Sequence, residues 1–284
     1  MPYAKVENVR LYYQIYGAEY ELLEDSARKK PTLVAVHGGP GTDHIFYDVP
    51  TLSDASEFAQ VIFYDQRGNG RSIDINPEHW NLRQWALDLH SFCETLGLEK
   101  PFIHGISLGG WIAQLYASMY PEEPGGIILT DTEAYVNISK ILDAYEHKGG
   151  PEVREIARRF LYALDTDACE EYSKKCIPLC SCNPMPDSWA KRAIVTPEVN
   201  RHFRKNELLK FNYLEDIKKI IAPVLFLSNT TNPYHLLSVA RETYNAIKHD
   251  KVEFIEFENC GLVGVDAKEL ALTEIKRFIN RYFS

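Results

Sequence analysis

No apolar run in this 284-residue chain approaches the roughly 18 residues that a membrane-spanning helix needs, so no membrane partner is expected. Basic residues are outnumbered: Lys and Arg total 31 against 40 Asp and Glu, giving a formal charge of −9. Binding to a polyphosphate backbone is driven by cationic side chains that release counterions, so nucleic acid is not an expected partner either. The N-terminus, Met1-Pro2-Tyr3-Ala4-Lys5-Val6, has no basic segment followed by an apolar stretch, which predicts a cytoplasmic protein. Cysteine is sparse and lacks the paired C-x-x-C spacing of common zinc sites. Cys169, Cys176, Cys180 and Cys182 crowd together with no histidine among them, and they read as reduced thiols with no metal bound. No repeat and no low-complexity segment is present.

What is there is ordinary globular material, 45% hydrophobic and 25% charged, long enough for one domain or for a core with an insertion. Residues 9–16 are β-prone, and the charged stretch 19–30 reads as a loop or hairpin. Short apolar runs follow at 32–36, 59–64, 102–103, 126–129, 224–227 and 252–257, each bounded by Gly, Asp, Asn or Pro. Continuous runs of this length suit strands buried on both faces. Helical stretches at 82–96, 111–119, 236–247 and 270–282 alternate with them, which predicts a doubly wound α/β core with a mostly parallel sheet. Residues 135–211 break the rhythm, with helical periodicity at 152–164 and no convincing buried strand. The expected organisation is therefore a core of 1–134 and 212–284 with a helical cap of 135–211 over the carboxyl ends of the strands, where ligands of such sheets bind.

Gly105-Ile106-Ser107-Leu108-Gly109 sits between a strand and a helical stretch, the context in which G-x-S-x-G forms a nucleophile elbow. Ser107 is the candidate nucleophile, and the Leu108 N–H would face an oxyanion. His37-Gly38-Gly39-Pro40-Gly41 follows the strand ending at Val36, where glycines let backbone N–H groups approach a substrate oxygen. Gly39 is the expected second donor, with Gly38 and His37 shaping the loop. His104, leading into the elbow, is expected to make a structural hydrogen bond. A third motif, Asp65-Gln66-Arg67-Gly68-Asn69-Gly70-Arg71-Ser72, follows the next strand, and its two arginines are expected to organise their loop.

Together these three motifs resemble the proline iminopeptidase branch of the α/β-hydrolase superfamily, over roughly residues 9–130 and the two late strands. The resemblance implies an α/β-hydrolase fold with an inserted helical cap, Ser107 as nucleophile, no metal or cofactor, and a small-molecule substrate or ligand. Members cleave an N-terminal proline or similar residue from peptides, amides or esters. They usually carry Trp after the serine, where this chain has Leu108.

The resemblance also implies an acid after the strand at 224–227 and a histidine after the last strand. Asn232 stands in the first place and Leu262 in the second, and no histidine follows His249. A serine without its base loses several orders of magnitude in rate, although an oxyanion hole and binding alone leave roughly 10³–10⁴-fold over water. Asp131 or Glu133 could replace the acid, and His235, three residues past Asn232, could act as a displaced base or simply start a helix. Cys260 could be a second nucleophile or a packing residue. Three functions follow: non-hydrolytic chemistry such as cyclisation, isomerisation, elimination or lyase work through the oxyanion hole, serine hydrolysis with a displaced base, or ligand binding without turnover.

Overall fold

The strongly apolar, β-branched runs of the sequence become the strands of one sheet. In this computed structural model, which describes residues 2–45, 51–162 and 166–283, ten strands form: β1 Tyr3–Val6, β2 Val9–Tyr16, β3 Tyr20–Leu22, β4 Ala27–Lys29, β5 Thr32–Val36, β6 Gln60–Tyr64, β7 Phe102–Ile106, β8 Gly126–Thr130, β9 Val224–Asn229 and β10 Val252–Phe257. Eight of them make a sheet in the order β1-β2-β6-β5-β7-β8-β9-β10, and β3 and β4 make a separate exposed hairpin from the charged stretch. Pairing is antiparallel for β1-β2 and β2-β6 and parallel from β6 to β10. Every residue of β7, β8 and β9 is buried, as their unbroken apolar runs require when helices cover both faces.

Nine helices complete the described residues: α1 Leu82–Thr95, α2 Leu108–Met119, α3 Ile138–Tyr162, α4 Thr166–Lys175, α5 Asp187–Arg192, α6 Pro197–Asn206, α7 Leu237–Ala246, α8 Val263–Asp266 and α9 Lys268–Tyr282. Asn81 caps α1 by accepting from the Gln84 N–H, and Leu82, Trp85, Ala86, Leu89 and Phe92 at three- and four-residue spacing form its buried face. Each such buried aliphatic or aromatic side chain contributes about 1.5–3 kcal/mol. Helix α9 buries Ala271, Leu272, Ile275, Phe278 and Ile279 against the other face of the sheet.

Residues 135–211 contain helices α3 to α6 and, among the described residues, only isolated bridges. One of these, Tyr135 with Asn212, closes the base where the segment leaves and rejoins the sheet-forming chain. Helix α3 is interrupted at Gly150, whose φ of 83° ends one run before Pro151 starts the next. Positions 163 and 164 of the helical periodicity lie outside the described residues. The segment packs onto the core through Phe203 of α6, fully buried between the rings of Trp85 and Trp111. It also touches the loop after β5, where Asp43 N–H donates to Ile194 O, Thr196 N–H to Gly41 O, and Asn200 Nδ2 to Pro40 O. The loops after β5, β7, β8, β9 and β10 meet at the carboxyl edge of the parallel strands, and all the candidate residues lie on them.

Candidate active site

Ser107 joins β7 to α2 with φ 51° and ψ −117°, a conformation that costs a non-glycine residue about 1–3 kcal/mol and persists only where its surroundings enforce it. The enforcement is visible. Ser107 N–H donates to Thr130 O, and Ser107 O accepts from Thr132 Oγ1 at 2.9 Å. Helix α2 starts immediately at Leu108, three residues earlier than its apolar periodicity suggests. It runs so close to β5 that a Cβ at position 109 would stand 1.8 Å from Val36 O, which only glycine avoids. The sharp elbow read from the sequence is therefore present.

The loop 37–41 lies against it, since a Cβ at Gly38 would stand 3.4 Å from Ser107 Cβ. Its shape is held by His37, whose Nε2 accepts from Gln66 N–H at 3.0 Å, leaving Nδ1–H to donate to Gly38 O at 3.0 Å. Burial keeps the His37 pKa below its ordinary value despite the charge of Asp65, so the ring is neutral and structural. His104 is likewise neutral, pushed down to about 3 by burial, and bonds Thr130 Oγ1. The arginines organise their loop as the motif suggests. Arg67 donates to both oxygens of Asp88, to Asp74 and to Asn8, and Arg71 pairs with Asp43.

The loops after β8, β9 and β10 bring together residues far apart in sequence. Asp131, buried at the end of β8, accepts from Val263 N–H at 2.8 Å and from Asn229 Nδ2 at 2.9 Å. Burial pushes its pKa up to about 6, against the lowering effect of Asn229, His235 and the Val263 N–H. Leu262, one residue before that N–H, carries an alkyl side chain that packs, partly buried, against the main core cluster. Asn232 does not take part there. It ties the loops together, donating to Gly261 O and accepting from the N–H groups of Tyr234 and His235.

His235 is neither solvated nor part of helix α7. It is buried, and its Nδ1 lies 3.1 Å from Glu133 Oε2. Burial lowers its pKa, but the charge and hydrogen bond of Glu133 and the field of Asp131 outweigh it and the net shift is upward. Glu133 Oε1 is buried with no hydrogen-bond partner. Cys260 is buried and packs with Leu227, Phe257 and Val263. The four crowded cysteines have different surroundings: Cys169 accepts from Arg204, Cys176 and Cys180 are buried, and Cys182 is exposed.

Sequence reasoning missed Asp266. Its carboxylate accepts from Ser181 Oγ, from the N–H groups of Cys182, Asn183, Gly261 and Leu262, and from Asn183 Nδ2, all within 2.8–3.0 Å. Burial works against its charge, but these donors bring its pKa down to about 2. No local signal marks it, because four of its six donor groups lie more than 80 residues away in sequence.

Comparison with known proteins follows the same outline. A family model described as alpha/beta hydrolase fold matches residues 31–261. A proline iminopeptidase of Clostridium botulinum is 28% identical over 99% of this chain and 97% of its own, and one of Lactobacillus helveticus is 35% identical over 46% and 42%. Among solved structures, proline iminopeptidase of Mycobacterium smegmatis superposes with a TM-score of 0.78 at 18% identity, covering 99% of this chain and 98% of that one. A thermophilic esterase of Thermogutta terrifontis superposes at 0.73 and 19% identity, covering 100% and 99%.

Proposed function

Because the chain belongs to the α/β-hydrolase fold family, in its proline iminopeptidase-like branch, we propose that it acts on a small carbonyl-containing molecule held beneath residues 135–211, which serve as a cap. The reading is that Ser107 and an oxyanion hole of the Leu108 and Gly39 N–H groups are retained, while the chemistry is non-hydrolytic, of the isomerisation, elimination, cyclisation or lyase type. One observation carries it. Asp131, read here as the acid, is bonded to the backbone N–H of Val263, yet the residue just before that N–H, where the resemblance implies a histidine, is Leu262. Preorganised N–H donors stabilise a developing oxyanion whether or not a nucleophile is activated. A carboxyl with a pKa near 6 is matched to proton transfer near neutrality. Isomerisation or elimination at a carbon next to a carbonyl needs those two functions and no acyl-enzyme.

A second reading, serine hydrolysis with a displaced base, is favoured by the buried His235–Glu133 pair, a histidine oriented by a carboxylate as in a hydrolytic triad. The two separate by incubation with a fluorophosphonate and measurement of intact mass, with Ser107→Ala as control. No adduct on folded protein is the expected outcome. A single adduct that is lost in both Ser107→Ala and His235→Gln would replace the first reading with the second.

A further inference from the structure

The turn at residues 180–183 of the cap rests directly on the loop after β10. Gly261 has no space for a side chain there: a Cβ would stand 2.3 Å from Cys180 O and 2.8 Å from Ser181 Cα. One oxygen of Asp266 accepts the N–H of Cys182 at 2.9 Å and that of Gly261 at 2.8 Å, so the backbone of Cys182 and the backbone adjoining Cys260 converge on a single atom. Thr231 links the same two residues on the other side. Its Oγ1 lies 3.6 Å from Cys182 Sγ, and its N–H donates to Cys260 O at 2.9 Å. Cys182 is the one exposed cysteine of the chain, open to a soluble oxidant, whereas Cys260 is buried directly beneath the turn. Cys182 is near enough for its field to be one of the causes that hold the Cys260 thiol above its ordinary range, after burial and the neighbouring Asp131 and Asp266.

We propose that Cys182 and Cys260 form a disulfide that fastens the cap to the loop carrying Leu262, closing the site beside Asp131. The oxidant is a small disulfide of the glutathione class. The Cys182 thiolate attacks one of its sulfurs, the new S–S bond forms as the old one breaks, and one thiol leaves. Cys260 then loses its proton to solvent and attacks the Cys182 sulfur of the mixed disulfide, expelling the second thiol. Two protein thiols are oxidised and one oxidant molecule is reduced to two thiols. The effect on turnover rests on the function proposed above, but formation of the bond does not, and the two are read by different measurements.

The full chain is incubated with oxidised glutathione, unfolded, and its thiols counted. Two of the six cysteines should disappear without a retained glutathione adduct, and fragmentation of the linked peptides should join Cys182 to Cys260. Cys182→Ser should abolish the link while Cys169→Ser keeps it. Amide exchange at residues 181–183 should slow by at least about tenfold in the oxidised protein, as local opening of the turn is suppressed. Six retained thiols, a stable mixed disulfide at Cys182, a bond from Cys182 to Cys176 or Cys180, or a correct bond with unchanged exchange would each overturn the proposal. A failure of the function proposed for Ser107 would leave all four readouts intact.

Discussion

Both oxygens of Asp131 accept from neutral donors, which together with the field of His235 favour its charged form, but burial outweighs them, so the folded protein holds this proton more tightly than the unfolded chain does. The sign of the pH dependence follows. With a folded pKa of about 6 against an unfolded value of 3.8, the contribution of this group is fully present below the unfolded pKa and is lost as pH rises through 6. For a fully buried carboxyl the loss amounts to about 3 kcal/mol. Denaturant unfolding of the wild type and of Asp131→Asn between pH 4 and pH 7 should show the wild type losing stability relative to the variant across that range, and parallel curves would mean that Asp131 is ionised throughout. The same carboxyl makes a sharper test at position 262. In Leu262→His the imidazole would enter beside an acid already bonded to the next N–H. Labelling of Ser107 by a fluorophosphonate should then rise by at least about a hundredfold, a small part of what a complete triad supplies. The gain should vanish in Leu262→His with Asp131→Asn. If the single variant stays silent while folded, the space between Asp131 and Ser107 is built for something other than an imidazole.

At the level of elements, the four-residue helix α8 does more to place the site than its length suggests. Asp266 at its end collects donors from the loop at 261 and 262 and from the turn at 181–183, so one carboxylate fixes both. Replacing Asp266 by Ala leaves these N–H groups to find water and should cost about 2–3 kcal/mol, well below the sum of six separate charged bonds because the exposed donors are readily hydrated. Amide exchange at 181–183 should speed up while that of β7 and β8 is unchanged. An equal increase in both would place the residue in global stability instead of in a local clamp. Such a link illustrates where reading the chain stops. Strands β5, β8 and β9 were legible because each is a largely continuous apolar run between turn residues, and Ser107 was legible because strand, glycines and helix are all local. Strand β1 was not, since four residues with one lysine carry too little periodicity. The start of α2 was misplaced because Gly109 and Gly110 are poor helix formers whose position is dictated by contact with β5 and with Thr132. The joining of Asp131 to Val263, 132 residues apart, and of Glu133 to His235, 102 apart, depends on which strands are neighbours, and local sequence carries no trace of that.

Across the whole molecule, residues 135–211 and the sheet with its flanking helices are not separate hydrophobic units. One cluster of buried side chains runs from Val34 and Ile62 in the sheet through Trp85 and Trp111 on α1 and α2 to Phe203, Ile141 and Tyr145 of residues 135–211. Phe203 is its keystone, with its ring stacked 5.7 Å from Trp85 and 6.1 Å from Trp111. Were residues 135–211 to move as a rigid body they would have to expose those three rings together, which disfavours opening at α6 and makes the turn at 181–183, tied down by its polar bonds to Asp266, the edge that can lift. Shared burial also predicts one cooperative unfolding transition for the chain. Phe203→Ala removes a fully enclosed ring, and the loss of contacts plus the residual cavity should cost about 3–5 kcal/mol. If the two parts are one unit, tryptophan fluorescence, to which Trp85 and Trp111 beside Phe203 contribute along with Trp80 and Trp189, and far-ultraviolet circular dichroism, which sums all helices, should shift to lower denaturant together and remain superimposable. Should the fluorescence midpoint fall while most of the helical signal persists to the wild-type midpoint, residues 135–211 would be melting from an independently stable remainder, and exposure of the carboxyl edge of the sheet would then be a folding equilibrium of residues 135–211 instead of a movement of one edge.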